Sequence, residues 1–154
     1  MNALGKQIQI RLATLADVPQ LCDLLALLFS QEADFKPDAE RQTRGLEKII
    51  GAPGIGCVYC ASQESLVVGM VSLLYSVSTA EGGLSAWLED MVVHPDWRGN
   101  HLGEQLLKTA IQQSRDSGCL RITLLTDAHN DRAIRFYGRA GFISSSMIPL
   151  RLKL

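Results

Sequence analysis

The stretch VVHPDWRGNHLGEQLL, residues 92–107, decides how this sequence is read. An apolar run ends at His94-Pro95, a polar loop with two glycines follows, and an amphipathic pattern begins at Leu102. A helix N-terminus leaves up to four backbone N–H groups without intrahelical partners, and the helix dipole adds partial positive charge there. An anion such as phosphate satisfies both. Gly99 and Gly103 remove side chains where a ligand would approach the backbone, and Arg98 adds a permanent positive charge with several donors. Taken alone, the loop fits equally a tight strand-to-helix turn with a solvated arginine. It lacks the Gly-Lys-Ser/Thr ending of a P-loop and the Gly-x-Gly-x-x-Gly of a dinucleotide turn.

Working outward, Leu102, Leu106, Leu107, Ala110 and Ile111 give an apolar stripe over 102–117, and Gly118 is placed to stop that helix. CLRITLL, residues 119–125, reads as a strand, and a short helix over 131–140 ends before Gly141. FISSSMIPLRLKL, residues 142–154, offers one or two final strands. Upstream lie three strands near 56–62, 66–75 and 84–93, preceded by a helix over 39–50 that stops at Gly51. QIQIRLA, residues 7–13, alternates as a half-buried strand does. Thr14 and Asp17 then have capping-box spacing before the face Val18, Leu21, Cys22, Leu25 and Leu28. The order β-α-α-β-β-β-α-β-α-β(β) makes an α/β (α+β) fold with a mixed sheet and helices on its faces. No repeat or linker interrupts it, so one domain over 1–154 is expected.

Composition narrows the function classes. Apolar residues make up 47% and charged residues 20% of 154 residues, a globular balance. The net charge of −1 argues against nucleic acid as the main partner, while a local site can still hold a small phosphate-bearing ligand. The longest apolar tract, LCDLLALLF, is too short to span a bilayer and contains Asp23. The first residues carry no charged region followed by an apolar stretch, so a cytoplasmic location with no membrane partner is expected. Cys57-Val-Tyr-Cys60 is half of a metal or redox motif with no second pair to complete it. On a strand those two residues point to opposite faces, so buried free thiols and no metal are expected.

LEDMVVHPDWRGNHLGEQLL, residues 88–107, followed by NDRAIRFYGRAGF, residues 130–142, resembles the GNAT superfamily of N-acetyltransferases. The resemblance implies a mostly antiparallel central sheet flanked by helices on both faces. It also implies that an Arg/Gln-x-x-Gly-x-Gly/Ala loop cradles the pyrophosphate of acetyl-CoA. That frame covers Arg98, Gly99, Asn100, His101, Leu102 and Gly103, with Glu104 just inside the helix. His101 stands where the family usually has its first glycine, and histidine tolerates unusual backbone angles better than a β-branched residue does. The resemblance further implies a bulge in the fourth strand, which frees backbone groups of Met91, Val92 and Val93 for the pantetheine arm. Asn130 matches a residue that contacts that arm, and it would look identical as a plain helix N-cap.

Acetyl transfer from a thioester to an amine needs a neutral amine, although free alkylamines have a pKa of about 10, and a protonated leaving thiolate of pKa about 8.5. Tyr137 lies where the resemblance places the general acid, and Glu89 is the candidate base, on the argument that a carboxylate on a central strand is costly to bury without a purpose. No cysteine lies within the matched motifs to carry a covalent acetyl group. The expectation is therefore direct transfer from acetyl-CoA to a primary amine. The alternative is a coenzyme A-binding sensor without turnover. Phe29, Glu32, Asp34 and Trp87 are the guesses for the acceptor wall; Arg132, Arg135 and Arg139 read first as a solvated face, and His94 and His129 as loop residues. Homodimers are common in the family, and apolar residues of the C-terminal strands would suit one.

Overall fold

The thirteen residues Leu66–Ser78 form the central strand of the sheet, β3, because their run LVVGMVSLLY is apolar on both faces. The chain is described here from a computed structural model, which covers residues 7–31 and 36–154. Around β3 the sheet runs β1 (Gln9–Leu12), β2 (Gly56–Gln63), β3, β4 (Gly83–Val93) and β5 (Ile122–Leu124) in spatial order. Neighbours are antiparallel except β4 and β5, which are parallel.

Alternation along the strands builds two cores. On one face, Val58, Cys60, Met70 and Val92 meet Leu21 and Leu25 of α1 (Val18–Phe29) and Leu46 of α2 (Ala39–Ile50). On the other, Val71, Leu73, Ala86 and Leu88 meet Leu106, Leu107 and Ala110 of α3 (Leu102–Asp116), with Phe136 and Tyr137 of α4 (Asp131–Arg139) packed beside them. Cys57 belongs to the second core and Cys60 to the first, so the two thiols sit on opposite faces as their spacing requires. Burial raises the pKa of both.

Local chemistry sets the helix ends. Asp38 caps α2 by accepting from the Arg41 N–H at 3.1 Å. Gly118 and Gly141 follow α3 and α4 with φ of +81° and +101°, the left-handed conformation that ends a helix. Thr14 and Asp17 do form a capping box, around a single 3-10 turn (Leu15–Asp17) that leads into α1. The buried Asp17 carboxylate also takes two parallel bonds from Arg11, at 2.8 and 2.9 Å, which tie β1 to that turn. The guanidinium holds the Asp17 carboxyl down at about 2.

Two expectations need correction. The strand expected over 119–125 is confined to Ile122–Leu124, and among the described residues 143–154 no strand forms at all. The physical reason is pairing: a strand needs a neighbouring strand, and this segment pairs with none among the described residues. Glu32 and Asp34, two of the acceptor-wall guesses, lie outside the described residues.

Candidate active site

The register between β3 and β4 slips once. Val71 opposes Met91 and Leu73 opposes Leu88, so a single residue on β3, Ser72, faces two on β4, Glu89 and Asp90. That is a β-bulge, and a side chain holds it. The buried Ser72 hydroxyl accepts from the Asp90 N–H at 3.1 Å and donates to Asp90 Oδ2 at 3.2 Å. Leu88 and Met91 consequently both face the α3–α4 core, although an unbroken strand would turn residues three apart to opposite sides.

Beyond the bulge, β4 loses its outer neighbour. β5 pairs with Ala86, Trp87 and Leu88 only, so Glu89–Val93 borders an open wedge. The direction of the backbone groups there follows from the ladder. His94 N–H donates to Val68 O at 2.8 Å, and hydrogen-bonded pairs alternate, so Val92 turns its N–H and C=O toward β3. Met91 and Val93 turn theirs toward the wedge. Of the three residues expected to offer backbone groups, Val92 is thus engaged inside the sheet. The Val93 carbonyl already accepts from Arg98 Nε at 3.1 Å.

The loop at the start of α3 lies next along the chain. A 3-10 turn (Pro95–Trp97) is capped by His94, whose ring accepts from the Asp96 N–H. Asn100 donates to Trp97 O at 3.3 Å. Gly99 has φ +81°, and His101, with φ 59° and ψ 14°, adopts the left-handed conformation that a glycine would take without strain. His101 gives α3 no side-chain cap; its ring lies 3.2 Å from Glu104 Oε2 instead. The N–H groups of the first turn, Leu102, Gly103 and Glu104, are therefore left for an external acceptor. A Cβ at Gly103 would lie 3.5 Å from Phe136 and 3.8 Å from Met91, an ordinary contact, so nothing inside the chain demands glycine there.

Those same contacts bring the loop, the bulged strand and α4 together. In α4 the Tyr137 ring is held edge-on between Phe136, at 5.2 Å, and Phe142, at 5.7 Å. Burial pushes the Tyr137 phenol up to about 12, which keeps it protonated across the neutral range. Asn130 caps α4 by accepting from the Ala133 N–H at 3.1 Å. Glu89 is exposed, so the argument from a costly buried carboxylate does not apply to it. Arg132, Arg135 and Arg139 are exposed, and Trp87 is half-buried in β4. A groove of about 240 Å³ runs between α3 and α4 past Glu104, Lys108, Phe136 and Arg139, and no β4 residue lines it. Among the described residues, no cluster of His, Cys, Asp and Glu could hold a metal ion. No described helix is long and apolar enough to cross a membrane.

Ser72 was not singled out from the sequence, although a lone hydroxyl inside the apolar run LVVGMVSLLY is a visible signal. A buried polar side chain needs partners, and here the partners are the bulge itself.

Residues 18–142 match the model of the Acetyltransferase (GNAT) family. The chain belongs to the GNAT family. Its curated relatives include glucosamine 6-phosphate N-acetyltransferase from Trypanosoma brucei brucei, 31% identical over 55% of this GNAT chain and 56% of that protein. Aminoalkylphosphonate N-acetyltransferase from Salmonella typhimurium is 28% identical over 89% of this chain and 86% of its own length. The chain spans about half the length of several curated relatives that it matches. Among solved structures, an aminoglycoside N-acetyltransferase in complex with CoA superimposes with a TM-score of 0.82 over 99% of both chains at 16% identity, which shows a shared GNAT fold.

Proposed function

We propose that the chain is an acetyl-CoA-dependent N-acetyltransferase that acetylates a primary amine directly. The observation that carries this reading is the conjunction of the bulged, half-unpaired β4 with the uncapped, glycine-lined start of α3. One offers backbone groups to an extended amide-bearing arm, and the other offers N–H donors to phosphates. The family match and relatives named for amine acetylation support the same reaction class, and the CoA complex of a fold neighbour supports the donor.

In this reading the N–H groups of residues 102–104 and the Arg98 guanidinium hold the pyrophosphate, with Gly99, Asn100 and His101 shaping the loop. Met91 and the Val93 N–H hold the pantetheine arm, Asn130 fixes the start of α4 beside it, and bound acetyl-CoA supplies the activated acetyl thioester. Glu89 at the bulge accepts the proton that the acceptor amine loses, directly or through water. Tyr137 donates a proton to the departing sulfur, a task suited to a phenol that burial keeps protonated. Four free cysteines fit a reducing compartment, so the cytoplasm is the proposed location.

The test is release of free thiol from acetyl-CoA across a panel of primary amines. Acceptor-dependent release is expected, and Tyr137→Phe should lower turnover at least about 10²-fold while coenzyme affinity stays within about threefold. Unchanged turnover in that variant would remove Tyr137 from the chemistry. Coenzyme binding with no release for any amine would favour a CoA-binding sensor.

A further inference from the structure

The groove between α3 and α4 carries positive charge that its own chain leaves unanswered. Glu104 stands four residues before Lys108, the spacing at which a helix forms an ion pair. Its carboxylate is turned to the His101 ring instead, at 3.2 Å. Lys108 of α3 and Arg139 of α4 both line this groove of about 240 Å³, and neither has an ion-pair partner among the described residues. Arg115 is likewise unpaired in the adjoining hollow of about 560 Å³, which shares Lys108, Ile111 and Ala140 with the first. Arg41, Arg44 and Arg121, by contrast, each have a carboxylate within 4.0 Å. The floor of the groove is apolar, made by Leu107, Ile111 and Phe136. An apolar floor rimmed by unpaired cations fits a flat base with a phosphate at its edge.

We propose that this groove seats the adenosine end of the coenzyme, with Lys108 and Arg139 holding its 3′-phosphate, so that the chain selects coenzyme A over forms that lack that phosphate. The inference rests on the acetyl-CoA reading, and continuity with the phosphate loop supports it. The groove begins at Glu104, in the first turn of α3, whose N–H groups hold the pyrophosphate in that reading. Lys108 lies one turn farther along, about 6 Å at about 1.5 Å per residue. A single sugar ring separates the 5′- and 3′-phosphates of the coenzyme, a reach of the same order. A phosphate monoester carries close to two negative charges at neutral pH, which two cations match. Arg139 offers the planar fork that suits phosphate oxygens, and Lys108 offers a point charge. The adenine lies against Phe136 and Ile111, where the small side chain of Ala140 leaves it room.

Isothermal titration with acetyl-CoA and with its 3′-dephospho analogue tests this. The unaltered chain should bind acetyl-CoA at least about tenfold more tightly than the analogue, a difference of about 1.4 kcal/mol. In the double variant Lys108→Gln, Arg139→Gln the two ligands should bind alike, at about the affinity the unaltered chain has for the analogue. The double variant Arg44→Gln, Lys48→Gln removes the same charge from α2, on the opposite face of the sheet, and should keep the preference. All four side chains are exposed, so both variants should keep the far-UV circular dichroism of the unaltered chain. Equal binding of the two ligands by the unaltered chain overturns the 3′-phosphate seat and leaves the coenzyme reading standing. So does a preference that survives in the groove variant, or one lost equally in the α2 variant. Binding of neither ligand by the unaltered chain overturns the coenzyme reading and the seat with it.

Discussion

Strands β3 and β5 belong to one sheet and differ in nearly every respect. β3 has thirteen residues, a paired neighbour on each side and a helical layer on each face. β5 has three residues, one neighbour and nothing fully buried. The difference teaches where to look for function. Where every backbone group is paired within the chain, the sequence supplies a platform; where groups are left over, at the β4 wedge, the α3 N-terminus and the β5 edge, something external is wanted.

Substitutions can break that contrast. The largest effect is expected on the platform: Leu73→Ala, at a side chain 1% exposed, should cost about 2–5 kcal/mol in urea unfolding, because little around it can relax into the cavity. At the boundary between platform and wedge, Ser72→Ala removes both hydrogen bonds that hold the bulge. A loss of about 1–3 kcal/mol is expected. Coenzyme affinity should weaken in the same variant, which a purely structural serine would not produce.

Acid should act on stability through Asp17. Asp17 has its pKa lowered in the folded chain, so its contribution is fully present above pH 4 and is lost as pH falls toward 2, an effect of about 2 kcal/mol. Arg11→Met should shrink that acid dependence in an unfolding series measured between pH 5 and pH 2, with the Thr14 hydrogen bonds to Asp17 keeping the rest. The smallest change is expected at the loop. His101→Gly relieves a left-handed non-glycine residue and should raise stability by about 1 kcal/mol. Its surface contact with Glu104 offsets little of this, since exposed ion pairs contribute little.

The helices and the α3 loop were legible because their signals are local. Gly51, Gly118 and Gly141 end helices where the pattern stops, and residues 98–103 declare a helix start without a side-chain cap. The bulge's exact place depends on the register between residues eighteen apart in sequence, and the pairing of Ser72 with Asp90 fixes it. The same register decides that Met91 and Val93 face the wedge and Val92 does not. Glu89 lies at the register shift and is exposed, which fits a solvent-facing carboxylate rather than one buried in the sheet. The tail reads as strand because its alternation is real; a strand's partner, however, is not written in its own residues.

The most direct test of the site is Gly103→Ala titrated with acetyl-CoA beside the unaltered chain. The chain has room for that methyl, and alanine is favoured over glycine in a helix by about 0.5–1 kcal/mol, so the variant should fold at least as well. If phosphates lie against the N–H groups of α3, the unaltered chain binds and the variant binds at least about tenfold more weakly, a loss of about 1.4 kcal/mol. No binding by the unaltered chain, or equal affinity in a well-folded variant, would contradict the placement of the coenzyme there.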